Sequence, residues 1–347
     1  MNAEAGELNL LGYVFQLYDR EKRPTVATLE LTSGCNLKCV HCYIPGYRSK
    51  SGNKGQLSFN EITRVIDELA DLGVIRLILT GGEALSRPDW FEIAKYARGR
   101  GFILSLFSNA TLIDAEVADR IKELEVEHME VSLYGSKPEV YELVTAIKGS
   151  FAKFLGGIQE LKKREIPVWI KPVILKQNLS DLDEMLAFPE KVGLPLKFDQ
   201  CQLLLPRLDK DYDQLDYFLT DEEMIEVITR QNHVLKSSDN FGICTIASNS
   251  LTISANGDVR PCVIHPGVAG NVTKTSLKDI WRNSMLFNQL RTVSVEDLVE
   301  CKDCDLKPFC TPCIALNVLE TGDLTKSKEN CRIARNTKKA MQLKGII

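Results

Sequence analysis

Between residues 26 and 205 the chain alternates short runs rich in Leu, Ile and Val with longer runs whose apolar residues recur every three or four positions. Short apolar runs read as buried strands and the 3.6-residue period reads as helix. Their alternation argues for parallel strands joined by right-handed helical crossovers. Strands are expected at 26–31, 75–80, 102–107, 129–133, 168–174 and 196–205. Ser58 with Glu61 three residues on has the form of a capping box. Ile62, Val65, Ile66, Leu69 and Leu72 follow at helical spacing, and Gly73 ends that helix. Further helices are expected at 89–98, 114–124 and 151–163, with another capped by Ser180 that Pro189 bends or ends early.

Directly after the first expected strand stands Cys35-Asn36-Leu37-Lys38-Cys39-Val40-His41-Cys42. Three thiols at C-x-x-x-C-x-x-C spacing can wrap a small metal centre without closing a four-ligand site. A 4Fe–4S cluster takes four thiolates, so here one iron would lack a protein ligand. An open metal position belongs to catalysis, whereas structural sites fill every position. A zinc knuckle with His41 as fourth ligand is the alternative that this loop leaves standing. The next expected strand runs into Gly81-Gly82-Glu83, a second motif at the end of a second strand.

Together the two motifs resemble the radical S-adenosylmethionine (SAM) enzymes. The resemblance implies an α/β fold, a partial (βα)6 barrel over residues 25–205, with its active site at the C-terminal ends of the strands. It implies that Cys35, Cys39 and Cys42 hold a 4Fe–4S cluster whose open iron chelates SAM. Reductive cleavage of SAM then gives a 5′-deoxyadenosyl radical that abstracts a substrate hydrogen. Gly81 and Gly82 would let the backbone approach SAM, and Glu83 would hold its ammonium. Ser108, Asn109 and Ser132, near the next two strand ends, would contact its ribose and adenine. A flavodoxin- or ferredoxin-type protein would supply the electron.

The 347 residues, 44% hydrophobic and 26% charged, suit a soluble globular protein with one large and one smaller domain. A net charge of −4 argues against a dominant nucleic-acid surface. The first 24 residues lack a secretory pattern and are too broken by polar residues to span a bilayer, so they are expected to be a docking segment. A cytoplasmic setting follows, in which the eleven cysteines read as metal ligands rather than disulfides. Residues 206–243 carry many acidic residues and read as a bridging segment, with a helix at 221–235.

The last segment, 244–347, holds Cys244, Cys262, Cys301, Cys304, Cys310, Cys313 and Cys331. Asn256-Gly257-Asp258 before Cys262 signals a hairpin turn. Read alone, the paired C-x-x-C motifs suit zinc or iron–sulfur. Behind the barrel pattern, the array resembles the SPASM domain, which carries up to two auxiliary iron–sulfur clusters. Gly270-Asn271 followed by residues 276–281 looks like that domain's linking helix. By that resemblance Cys301, Cys304, Cys310 and Cys331 hold the second auxiliary cluster. Cys244, Cys262 and Cys313 hold the first, one ligand short, with Cys201 as a rival fourth ligand or a buried core residue. Two departures stand out: Cys310 and Cys313 are one residue closer than usual, and no cysteine falls between 246 and 257.

SPASM enzymes of this kind act mostly on ribosomally made peptides, so a peptide or small-protein substrate is expected. About 25 residues before the first strand are too few for a fused leader-binding domain. Recognition would then use a separate leader-binding protein or the SPASM surface. A small-molecule or cofactor-precursor dehydrogenase or epimerase is the alternative, and a zinc-binding adaptor without chemistry the remote one. Sulfatase maturases share the architecture, but Val263 stands where they carry an acidic residue after the G-x-x-x-x-C.

Overall fold

The computed structural model describes residues 18, 20–42, 44, 55–197, 218–230, 244, 246–325 and 327–347. Five strands, β1 (Val26–Glu30), β2 (Arg76–Thr80), β3 (Ile103–Ser108), β4 (His128–Leu133) and β5 (Val168–Pro172), pair in parallel in the order β5-β4-β3-β2-β1. Between them run α1 (Phe59–Leu72), α2 (Trp90–Gly99), α3 (Ala115–Glu123), α4 (Pro138–Thr145) and α5 (Ser150–Lys163). One face of the sheet is apolar and closed: Ala27, Leu29, Leu77, Leu79, Met129 and Val131 have no measurable exposure. The alternate positions, among them Ile78, Ser105, Glu130 and Lys171, line the open lumen.

Local chemistry sets the helix ends. Ser58 accepts from the Glu61 amide while the Glu61 carboxylate accepts from the Ser58 amide at 2.8 Å. Gly73 adopts the left-handed conformation, φ 89°, that stops α1. The five apolar residues named for this helix are all buried. Each contributes roughly 1.5–3 kcal/mol relative to exposure.

The fold departs from the reading above in several places. The sixth unit begins as expected: Leu196 bridges Ile170 in parallel, and the Lys197 amide donates to Ile170 O. Residues 198–205, Cys201 among them, lie outside the described residues, as do most of the N-terminal docking segment and residues 206–217. Ser180 does not cap a helix. It lies in a 3-10 turn (Lys176–Asp181), and α6 (Leu182–Lys191) starts after it. Pro189 sits in the last turn, two residues before the helix ends.

The C-terminal portion contributes α7 (Asp221–Arg230), β6 (Ser250–Ile253), β7 (Asp258–Arg260) and β8 (Gly270–Asn271). It continues with α8 (Leu277–Asn283), α9 (Met285–Thr292), α10 (Ile314–Thr321) and α11 (Lys328–Leu343). The acidic helix α7 packs on α11. Met224 is buried, and Asp221 accepts from Arg332 at 2.5 Å and Asn336 at 2.9 Å. The hairpin forms at the expected turn, with Gly257 at φ 85° and Ile253 opposite Val259. Its first strand was not expected in the barrel sheet, yet β6 pairs in parallel with β1, Val26 opposite Ser250. The result is one eight-stranded sheet, β5-β4-β3-β2-β1-β6-β7-β8. Among the described residues no helix is long and apolar enough to cross a membrane.

Candidate active site

The cysteine loop leaves the top of β1 and is held from three sides. The first is the end of β2. Thr80 O accepts from the Leu31 amide, Thr32 O from the Gly82 amide at 2.7 Å, and Gly34 O from the Glu83 amide at 2.9 Å. The two strands thus keep pairing past their ends. Such closeness excludes side chains: a Cβ on Gly81 (φ 145°) would stand 2.4 Å from Thr32 O, and one on Gly82 would stand 2.2 Å from Gly34 O. What the paired glycines admit is therefore the stem of the cysteine loop itself.

The second side is the end of α4. Thr145 O accepts from the Lys38 amide and Val144 O from the Val40 amide, at 3.0 and 2.9 Å. These carbonyls belong to the last helical turn, which has no amides of its own to offer them. The third side is the loop after β3. Asn109 Nδ2 donates to Asn36 Oδ1 at 3.0 Å, and Asn36 Nδ2 donates to Thr111 Oγ1 at 2.7 Å. Thr111 in turn donates its amide and its hydroxyl to Asn109 Oδ1.

Beneath these contacts lies Glu83, 2% exposed. Its carboxylate accepts from the Leu85 amide at 3.1 Å, the Ser108 hydroxyl at 3.0 Å and the Asn109 amide at 2.8 Å. Burial pushes its pKa up, and the three hydrogen bonds oppose that rise. Glu83, Ser108 and Asn109 are thus brought together, with polar atoms committed to one another. Ser132, partly exposed, lies on β4, the strand paired with β3, and within hydrogen-bonding reach of the Tyr134 hydroxyl.

The three loop thiols share one neighbourhood. Burial pushes the Cys35 thiol up to about 12 and the Cys39 thiol well above its ordinary value, and the charges of Cys35, Cys39 and Cys42 act on one another. Asn109 Nδ2 approaches Cys35 Sγ at 3.8 Å, and the Leu37 amide at 3.4 Å. Buried thiols of this kind ionise when a metal replaces the proton. Amide donors around the sulfur then stabilise the thiolate. His41 is buried, its pKa lowered by burial to about 4, with its ring 5.2 Å from that of Tyr134. Among the described residues no three His, Cys, Asp or Glu side chains converge closely enough for a single metal ion.

The C-terminal cysteines fall into two groups by the same criterion. Cys262 feels the charges of Cys313 and Cys244. Cys310 feels those of Cys301, Cys331 and Cys304. Burial raises both thiols to about 12. These are the cysteines that the resemblance to SPASM would assign to two auxiliary clusters, three thiols in the first set and four in the second.

Residues 29–188 match the radical SAM superfamily, and residues 244–305 match SPASM, an iron–sulfur cluster-binding domain. The chain is 30% identical to the AdoMet-dependent heme synthase of Methanosarcina barkeri, over 89% of this chain and 96% of that relative. It belongs to the radical SAM enzymes that carry a SPASM domain. Mycofactocin maturase MftC of Mycobacterium tuberculosis is 29% identical over 77% of this chain and 73% of its own length. In fold, the radical SAM enzyme resembles anSMEcpe solved with bound AdoMet: TM-score 0.72, 18% identity, 93% of this chain and 94% of that one. Its cofactors are a 4Fe–4S cluster with SAM, and auxiliary iron–sulfur clusters in the SPASM domain.

Some of this enzyme's site residues escaped the sequence reading. Asn36 and Thr111 complete the brace across the loop. Glu30, at the end of β1, is 9% exposed, and burial lifts its pKa to about 7 against the opposing charge of Arg260. α4 carries Tyr141 in behind the thiols. Its signal was available: Pro138 opens the helix, Tyr141 and Val144 are three apart, and Gly149 follows. Below them the lumen holds a cavity of about 380 Å³ in which Glu130 pairs with Lys171 and Lys197, and His128 stacks on Trp169 at 4.3 Å.

Proposed function

We propose that this radical SAM enzyme acts on a small molecule, an iron porphyrin or its precursor, in the manner that the name of its heme synthase relative states. The observation that carries this reading is similarity along nearly the whole of both chains, 89% of this one and 96% of the relative.

In this reading Cys35, Cys39 and Cys42 hold the SAM cluster. Cys301, Cys304, Cys310 and Cys331 hold one auxiliary cluster, and Cys244, Cys262 and Cys313 hold the other. When bound and reduced, the first cluster and SAM supply a 5′-deoxyadenosyl radical that removes one hydrogen atom from the substrate. Gly81 and Gly82 set the loop against β2, and Glu83, Ser108 and Asn109 fix the floor on which SAM rests. Ser132 presents a hydroxyl to SAM from β4, the strand beside Ser108. A flavodoxin- or ferredoxin-type donor delivers the electron.

Peptide modification is the second reading, favoured by the 29% identity to the mycofactocin maturase. It would call for a peptide substrate and a separate leader-binding protein. Anaerobic incubation of the loaded enzyme with SAM and dithionite separates the two. Iron porphyrins bearing carboxylate arms are expected to raise 5′-deoxyadenosine above the substrate-free background and to change mass. Turnover of short precursor peptides, with the porphyrins untouched, would overturn the first reading.

A further inference from the structure

Arg260 ends β7, the second strand of the C-terminal hairpin. The sheet register fixes the face on which it stands. Arg260 is opposite Thr252, Thr252 opposite Thr28, Thr28 opposite Ile78, and Ile78 opposite Ser105. Residues directly opposite one another share a face, and Ile78 and Ser105 line the lumen. Val259, next to Arg260 in sequence, takes the other face and is fully buried. Arg260 therefore stands on the lumen face, two strands out from β1.

The protein supplies this guanidinium with no counter-charge of its own. Arg260 Nε is buried and has no hydrogen-bond partner among the described residues. Asp258, on the same strand, has its two oxygens taken by Asn256 Nδ2 and Asn271 Nδ2, both at 2.9 Å. Glu30 shares the lumen face with Thr28, two residues further towards the cysteine loop. It feels the charge of Arg260 without accepting a hydrogen bond from it, and it keeps a proton up to about pH 7. The side chains between the two, Thr28 and Thr252, are short and leave the space above them to a ligand. Elsewhere in the lumen the cations are answered, since Lys171 and Lys197 both pair with Glu130. A guanidinium is a rigid fork of donors matched to a carboxylate, and a buried donor left without an acceptor is costly.

We propose that Arg260 binds a carboxylate arm of the substrate on the lumen face of the sheet, below the cysteine loop, and so helps to decide which small molecules the enzyme accepts. The inference rests on the small-molecule reading above and deepens it by naming the group that takes the carboxylate. The carboxylate of SAM is the other source of the same chemistry. The cysteine loop, however, is held by the ends of β2 and β3 and by α4, whereas β7 lies on the other side of β1.

The test titrates wild type, Arg260→Gln and Arg260→Lys, at matched iron content, with an iron porphyrin bearing carboxylate arms and with its methyl ester. Porphyrin absorbance reports binding. Wild type should bind the acid more tightly than the ester. Arg260→Gln is expected to weaken the acid roughly 10- to 100-fold, the loss of a hydrogen-bonded charge pair, and to leave the ester nearly unchanged. Arg260→Lys keeps the charge and loses the fork, so its affinity should fall between the two. A merely structural role would weaken acid and ester alike. SAM affinity in the same proteins should not change. No preference for the acid in wild type, equal effects on acid and ester, or a loss of SAM affinity in place of the acid overturns the proposal and leaves the small-molecule reading standing. Failure of wild type to bind either porphyrin overturns that reading, and this proposal with it.

Discussion

Replacing Glu83 by Gln tests whether the carboxylate is a brace or a ligand. Both of its oxygens face donors: the Leu85 amide and Ser108 hydroxyl on one, the Asn109 amide on the other. Ser108 Oγ also accepts from the Ala110 amide at 2.9 Å. Glutamine keeps one acceptor and sets an NH2 group against the other donor. Two buried donors then face each other, at roughly 1–3 kcal/mol apiece. Relief of the buried charge, whose cost shows in the raised pKa of Glu83, works the other way. The net loss is about 3 kcal/mol, or about 6–12 °C in Tm for a domain of this size. Anaerobic differential scanning fluorimetry of the loaded enzyme, alongside SAM binding, reads both consequences. A Tm within about a degree of wild type, together with lost SAM affinity, would refute the brace and return Glu83 to the role of SAM ligand.

Other expectations follow from the same geometry. Gly82→Ala places a Cβ 2.2 Å from Gly34 O, so the cysteine loop cannot seat; iron analysis with EPR should show the SAM cluster lost and the auxiliary iron kept. Joint replacement of Cys35, Cys39 and Cys42 by Ala should abolish 5′-deoxyadenosine formation, and sustained cleavage would contradict the assignment of the loop. Glu30 retains a proton in the folded state up to about pH 7, whereas its ordinary pKa is 4.5. The stability of that neutral carboxyl is full below pH 4.5 and is lost as pH rises to about 7, a change of about 3 kcal/mol. Glu30→Gln should therefore gain on wild type in Tm between pH 5 and 7.5, and a pH-independent difference would contradict this.

What the sequence made legible was local. Ser58 and Glu61 are three residues apart and cap one another, and Gly73 and Gly257 take the left-handed backbone that their positions required. The alternation of short and amphipathic runs gave five parallel strands because each strand is buried by the helix beside it in sequence. The misses were interactions between distant positions. The contacts of Glu83 with Ser108 and Asn109, 25 and 26 residues away, have no signal in the motif itself. The pairing of β6 with β1 has no local signature either, since Ser250 to Ile253 is a short run that could serve any sheet. Ser180 is a good cap residue in the wrong turn, displaced by the buried Asn178, which accepts from the Leu175 amide and donates to Tyr134 O and Val173 O.

The parallel pairing of β6 on β1 also bears on how the protein is made. β1, the strand that delivers the cysteine loop, has one edge satisfied by β2 and the other only by a segment about 220 positions further along. At a synthesis rate of roughly 5–20 residues per second, that edge stays bare on the ribosome for about 10–45 s. A parallel partner recruited from so far away closes slowly, because a long loop must be ordered first. During that interval the nascent chain exposes an unpaired strand edge, open to mispairing with another copy. Slower elongation between β1 and β6 lengthens that interval and should therefore lower the yield of soluble enzyme.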